Sequence, residues 1–553
     1  MDKGSNLGRH WASLQCRGPT VAVIGTSTND ETGVPTLANP PPPQPDPSDN
    51  PVAEVQTRQL TGFQNRLVTT LAAGLSLYAL YAVVAIVQPQ VYRVSFLLIS
   101  LVLTFILYPT LPAWRGRVGV PDWLLAGIAV VVLAWPIVDF DQFVRRAATP
   151  SQLDVLFGAI TTLLVVEATR RTVGWILPVT AVAFLLYGYY GPSLELIGLD
   201  LFAHRGYTLA RLIGTLYMTL EGIFGVPLKV AGTYIVLFTI FGAMLQHSGA
   251  AQFFINWTMS AFGRSKSGAG PGRTVTLSGF LLGTVSGSGV ATTVTLGAVA
   301  WPMLRRAGFS AEVGGGILSA SGIGAIMAPP TMGAAAFLIA EFLQITYLQV
   351  ILMAIVPAVL YYLSIMLMIE ADARRLGTKA VDVNLPSVGE LTRRSGYQFL
   401  PLIAIVVFLV SGMTPFLAVF LATMVTILLS FVRRDTALKP KRLVTALETG
   451  GRAVLAVVST TATAGVIVGV VTLTGLGLKI SNIIVDLAGG SVFFTVFYAA
   501  VAVWMLGLAV PVTASYIIAA VMIAPALTEV GVSEVAAHMF IFYYAVLSEV
   551  SPP

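Results

Sequence analysis

The sequence predicts an all-α, polytopic membrane protein whose second half holds two inverted repeats, each with a re-entrant helical hairpin and a broken helix. Three observations predict it. First, 56% of the 553 residues are hydrophobic and only 10% are charged, with a mean hydropathy of +0.82. A soluble domain carries roughly a quarter of its residues charged. Second, the stretch from Gly283 to Thr293 lies inside a long apolar tract, yet it combines three glycines with five hydroxyls. Backbone at membrane depth is bonded internally or lines a protected cavity. This stretch should therefore break a helix and present carbonyls and hydroxyls to something bound. Third, the break recurs. Gly249 pairs with Gly475, Gly263 with Gly489, Gly283 with Gly507 and Pro329-Pro330 with Pro552-Pro553, at offsets of 226, 226, 224 and 223 residues. Paired Gly/Pro-interrupted apolar segments point to a transporter site between repeats.

Composition narrows the chemistry. The net charge of +6 fits membrane-side loop bias rather than a nucleic-acid footprint. The single cysteine, Cys16, excludes an intramolecular disulfide and a cysteine metal cage. The four histidines, His10, His204, His247 and His538, show no ligand spacing and read as interfacial or packed residues.

In chain order, residues 1–56 form a polar, proline-rich tail that cannot bury a core and is expected to be disordered. Its longest apolar run, Val21-Ala22-Val23-Ile24, falls short of the roughly 7–15 residues of a signal-peptide core. Residues 57–172 form a small four-helix module, with apolar stretches near 67–87, 95–112, 121–138 and 152–168, each close to the ~20 residues that cross a bilayer. A fifth, 173–191, links this module to the second half of the chain. Arg58, Arg66, Arg115, Arg117, Arg170 and Arg171 all fall inside if the N-terminus is cytoplasmic. Arg93, Arg145 and Arg146 break that pattern. The segment 205–227, with Arg211 and Glu221, reads as an amphipathic helix lying on the membrane, so the linking region covers 173–227.

The first repeat occupies 228–396. A helix over 230–247 runs inward and an arm covers 250–262. Basic residues flank the glycine-rich break on both sides, which makes it a hairpin entering from the cytoplasm with its tip at Ser286–Gly289. A broken element comes next, apolar at 311–327 and 334–346 around Pro329-Pro330. Proline there frees carbonyls one turn back. Connecting helices and a basic loop fill 397–452. The second repeat, 453–553, breaks at Gly507–Ser515 and has no Lys or Arg after Lys479, so its hairpin enters from outside. The sequence ends at the point matching Pro329-Pro330. It is expected to stop short of one more crossing, on the order of 40 residues, and to transport poorly as it stands.

Two tips from opposite sides would meet near the midplane. Ser286, Gly287 and Ser288 in one, with Val512, Thr513 and Ala514 in the other, are the candidate substrate contacts. Helix ends there offer carbonyls to a small cation and amides to a carboxylate. Ser286, Ser288, Thr292, Thr331, Thr513 and Ser515 add neutral oxygens suited to Na+ rather than to a redox metal. Neither tip contains Asp or Glu, which gives a carboxylate proton relay there little support. Small residues could instead serve only close helix packing.

At these residues the chain resembles a known family. Gly283–Thr293, Ala328–Phe337, Gly465–Gly477 and Gly507–Tyr516 resemble the fused permease of tripartite ATP-independent periplasmic (TRAP) transporters, and Glu221–Gly225 resembles the branch that works with TAXI-type binding proteins. The likeness covers roughly 60–550. It implies an elevator mechanism, a bacterial inner membrane with a cytoplasmic N-terminus, and Na+ (less often H+) as coupling ion, with no other cofactor. It also implies a periplasmic TAXI-type binding protein that delivers an organic acid. By the same resemblance one Na+ would sit among Ser286, Gly287, Ser288, Gly289, Pro329, Pro330 and Thr331. A second would sit among Ala509, Pro511, Thr513, Ser551 and Pro552. Two rival readings stay open. One is a stand-alone Na+- or H+-coupled carboxylate transporter, which would have no use for the extra N-terminal spans. The other is a membrane enzyme, which would need a base that Ser286 and Ser288 lack within helical reach.

Overall fold

Apolar runs of this length close all their backbone hydrogen bonds as helices, and the computed structural model is helical throughout its ordered elements. It describes residues 57–110, 116–263, 268–381, 386–508 and 510–550. The tail at 1–56, Ala509, Ser551 and Pro552 lie outside the described residues. Among the described residues, eight helices are long and apolar enough to cross a membrane.

The small module is built from Gly62–Val84, Pro89–Leu107, Val120–Val138 and Gln152–Thr172. Local chemistry sets their starts. Gln88 caps the second helix by accepting from the Val91 N–H, and Ser151 and Asp154 form a reciprocal capping box at the fourth. At the opposite ends, the fully buried Asp122 carboxylate receives Arg58 at 2.5 Å and Arg171 at 2.8 Å. Arg171 also reaches Glu167 at 2.7 Å. Buried charges persist only when paired, and this cluster ties residue 58 to two of the helices. Two of the arginines that break the charge pattern have internal partners. Arg93 donates to the Phe224 carbonyl at 2.7 Å, and Arg146 bridges Asp139 and Asp154 at 2.9 and 3.0 Å. The hydrogen bonds that it donates to Asp154 and Asp139 hold the Arg146 guanidinium above its ordinary pKa.

One expectation fails. The amphipathic surface helix over 205–227 is instead a ten-residue helix, Leu209–Met218, with seven side chains buried from Leu212 to Met218. Tyr217 donates to the Val132 carbonyl at 2.5 Å, and a methyl group at Gly158 would lie 2.5 Å from Ile213. The helix is a packed strut. Its polar positions suggest water, but tertiary burial decides the matter. Glu221 lies beyond it, exposed at the start of a turn whose residues Gly222 to Gly225 are buried.

The repeats share one order of elements. Val226–His247 matches Leu455–Thr474, and the arms Ala250–Phe262 and Leu476–Leu487 follow each. Hairpin helices Gly270–Ser286 and Gly289–Ala307 match Val492–Gly507 and Val512–Met522, and Ala311–Met327 matches Glu534–Ser548. Gly249 and Gly475 turn the chain into each arm at φ +85° and +69°, a backbone that costs glycine little and other residues more.

Candidate functional site

The site begins with a helix that cannot continue. Gly287 ends Gly270–Ser286 in the left-handed region at φ +59°, its N–H bonded to the Gly283 carbonyl at 2.9 Å. Ser288 then starts Gly289–Ala307 as its cap, its Oγ accepting from the Ala291 N–H at 3.4 Å. On the other side Pro329-Pro330 interrupts the run from Ala311 to Phe342, and Met332 adopts φ +33°. Positive φ at a non-glycine residue stores strain and marks functional sites.

The two breaks meet. Thr331, buried, donates its hydroxyl to the Thr284 carbonyl at 2.7 Å. A methyl group on Gly287 would lie 2.9 Å from the Met332 carbonyl oxygen, and one on Gly283 would lie 2.6 Å from the Ala325 Cα. Tyr347 holds the Pro330 carbonyl from behind at 2.9 Å. The small residues therefore serve close packing and also bring backbone oxygens of 331 and 332 onto the hairpin tip. Among the described residues no group of three His, Cys, Asp or Glu forms a metal cluster. A cation held here would rest on neutral carbonyl and hydroxyl oxygens, the ligand type that suits a hard monovalent ion.

A cavity of about 500 Å³ opens beside this junction, within the size range of small-molecule sites. Gly287, Ser288, Thr292 and Thr295 of the hairpin and Thr331 and Met332 of the broken helix form one wall. Ile235, Phe238, Phe337, Ala456 and Val457 line it with apolar groups, and Gln246 and Thr449 add an amide and a hydroxyl. The sequence reading finds the tip and the proline break but misses Thr239, Gln246, Thr449 and Val457. The readable signal is Gly450-Gly451, which lets the Pro440–Ala453 helix press inward: a methyl group on Gly451 would lie 2.3 Å from the Ala72 carbonyl oxygen.

Val512, Thr513 and Ala514 do not line this cavity. The second tip is a separate cluster in which Ser515 Oγ donates to the Val510 carbonyl at 3.0 Å and Gly507 lies against Ser548. The structure also brings a carboxylate there that local sequence does not reveal. Glu549 comes close to the Val512 backbone N–H, at the start of a helix where negative charge is favoured. Pro511 caps that helix. Of the residues proposed for the first ion, Gly287, Ser288 and Thr331 line the same cavity, whereas Gly289 packs against Gly322. The Ser286 backbone closes the incoming helix.

The sequence pattern of the family described as the tripartite ATP-independent periplasmic transporter, DctM component, matches residues 160–553. A TRAP transporter large permease protein of Haemophilus influenzae is 32% identical over 98 residues, covering 18% of this chain and 24% of that protein. The C4-dicarboxylate TRAP transporter large permease protein DctM of Rhodobacter capsulatus is 33% identical over 98 residues, covering 18% of this chain and 22% of that protein. A further large permease protein from H. influenzae is 24% identical over 331 residues, covering 58% and 74%. The chain thus matches about a quarter or less of the length of the first two.

Proposed function

Because the chain belongs to the tripartite ATP-independent periplasmic transporter family, DctM component, we propose that it is the permease of a binding-protein-dependent secondary transporter that imports a small organic acid by Na+ symport. One observation carries the reading: a cavity lies where a re-entrant hairpin tip meets a proline-broken helix, and both present backbone groups to it. Helix breaks of this kind bind anions at amide ends and cations at carbonyl ends. Neutral oxygens at Thr331 and Met332 favour Na+ over H+ as coupling ion at the first hairpin.

An elevator movement is supported by a core that the first hairpin shares with the helices Ala250–Phe262, Ala311–Met327 and Tyr347–Leu376. Ile255, Leu282, Leu296, Leu318 and Ile369 pack together as a cluster distinct from the main one, as a body moving as a unit requires. The TAXI assignment rests on Glu221–Gly225. That turn is seated on the second repeat, where a methyl group on Gly465 would lie 2.5 Å from the Gly222 carbonyl oxygen. The partner on this reading is a periplasmic TAXI-type binding protein, the small module is fused to the large one, and the membrane is the bacterial inner membrane with the N-terminus cytoplasmic.

Uptake into proteoliposomes, with the binding protein supplied outside, tests the proposal. Transport should need both the Na+ gradient and the binding protein, and should fall at least about tenfold in Ser288→Ala combined with Thr331→Val. Uptake indifferent to the binding protein would instead support a stand-alone carboxylate transporter.

A further inference from the structure

The chemistry of the cavity wall is uneven, and the unevenness speaks to the substrate. Among the 22 described residues lining the cavity there is no Asp, Glu, Lys, Arg or His. Three of its six hydroxyls, those of Ser288, Thr292 and Thr295, belong to the hairpin around the start of the 19-residue helix Gly289–Ala307. That helix end supplies about half a positive charge plus amide donors, enough to balance one carboxylate.

The rest of the lining is largely apolar, with Ile235, Phe238, Leu282, Phe337, Ala456 and Val457. Its other hydroxyls are engaged with backbone: Thr239 donates to the Val236 carbonyl at 2.8 Å, Thr449 to the Thr445 carbonyl at 2.8 Å and Thr331 to the Thr284 carbonyl at 2.7 Å. His247, 3.1 Å from the Thr449 hydroxyl, is outside the cavity lining. Gln246, exposed, is the one side-chain amide in the lining. A second carboxylate reaching across would lose its hydration without gaining a charge partner, which is a heavy penalty for an ion.

We infer that the cavity selects a monocarboxylate with an apolar body over a dicarboxylate of the same chain length. The carboxylate sits at the Ser288–Thr292 end and the apolar body lies against Phe238, Phe337 and Val457. This inference rests on the proposed placement of the transport site in this cavity.

The test uses the full chain in detergent, with hexanoate and adipate as probes. They share six carbons and differ by one terminal carboxylate. A ligand that binds only the folded state raises the melting temperature by mass action, even when it binds weakly. Hexanoate should reach half its maximal shift at a concentration at least about tenfold below that of adipate. The shift should vanish in Ala291→Trp, which fills the cavity. Val457→Lys, which places a cation on the apolar wall, should reverse the order of the two probes. Adipate equal to or stronger than hexanoate, with both shifts abolished by Ala291→Trp, would overturn the substrate class while leaving the site in place. Shifts untouched by Ala291→Trp, or no shift with either probe, would overturn the placement of the site itself.

Discussion

Thr331→Val removes one hydroxyl at nearly constant shape, at the point where the broken helix clasps the hairpin. The hydroxyl donates to the Thr284 carbonyl at 2.7 Å, and Thr331 is 3% exposed, so water cannot replace it. Orphaning a buried acceptor costs about 1–3 kcal/mol, in place of the roughly 1 kcal/mol that an ordinary bond contributes net. At a site buried this deeply the upper part of that range is expected, about 2–3 kcal/mol, a fall in melting temperature of at least about 2 °C in a chain of this size. Thr331→Ser keeps the donor and loses only a methyl group, worth about 1 kcal/mol. Thermal melting of the purified full chain should therefore rank wild type, then Ser, then Val. A Val variant that melts with or above Ser would refute the claim that this bond joins the two breaks.

Other perturbations probe the frame around the site. Asp122→Asn removes the carboxylate shared by the buried Arg58 and Arg171, leaving Arg171 only Glu167 as an ion-pair partner, and should cost about 3 kcal/mol or more, while Asp141→Asn, exposed, should stay within about 0.5 kcal/mol; comparative melts decide it. Gly451→Ala drives a methyl group to 2.3 Å from the Ala72 carbonyl oxygen and should destabilise by about 1–3 kcal/mol, whereas Gly316→Ala meets nothing within 4 Å and should not. His204 carries the pH prediction. Its Nδ1 accepts from the Gly206 N–H at 3.1 Å and its Nε2 faces the Tyr187 carbonyl at 3.0 Å, an arrangement for the neutral ring. Burial lowers its pKa below the ordinary histidine value. The unfolded chain then binds the extra proton first. The contribution of His204 is present above about pH 6.5 and is lost as pH falls below it. The stability gap between wild type and His204→Gln should narrow between about pH 7.5 and about pH 5.5.

The parts of this architecture that local chemistry dictates are readable from the sequence. Gly249 and Gly475 announce the turns into the arms because a left-handed backbone favours glycine, and Gly287 and Pro329-Pro330 announce the breaks because a left-handed glycine and a proline pair each interrupt the helical hydrogen-bond ladder. Pairings between distant segments are not readable. Thr239 and Val457 enter the cavity only because Gly450-Gly451 lets one helix press on another, and Glu549 reaches the Val512 amide from a helix away. The Leu209–Met218 helix is misplaced by its sequence because a polar-looking pattern cannot report which neighbours will cover it. The convergence of Thr331 on Thr284 requires both breaks to be folded.

The proposed transport route runs through the cavity at the first hairpin, and blocking that cavity is the most direct test. Ala291 lines it, while the exposed Val294, three residues on, is outside the lining. Binding-protein-dependent uptake across a panel of mono- and dicarboxylates should fall at least about tenfold in Ala291→Trp and stay near wild type in Val294→Trp, with both proteins melting normally. Wild-type uptake by a folded Ala291→Trp variant would show that substrate passes elsewhere.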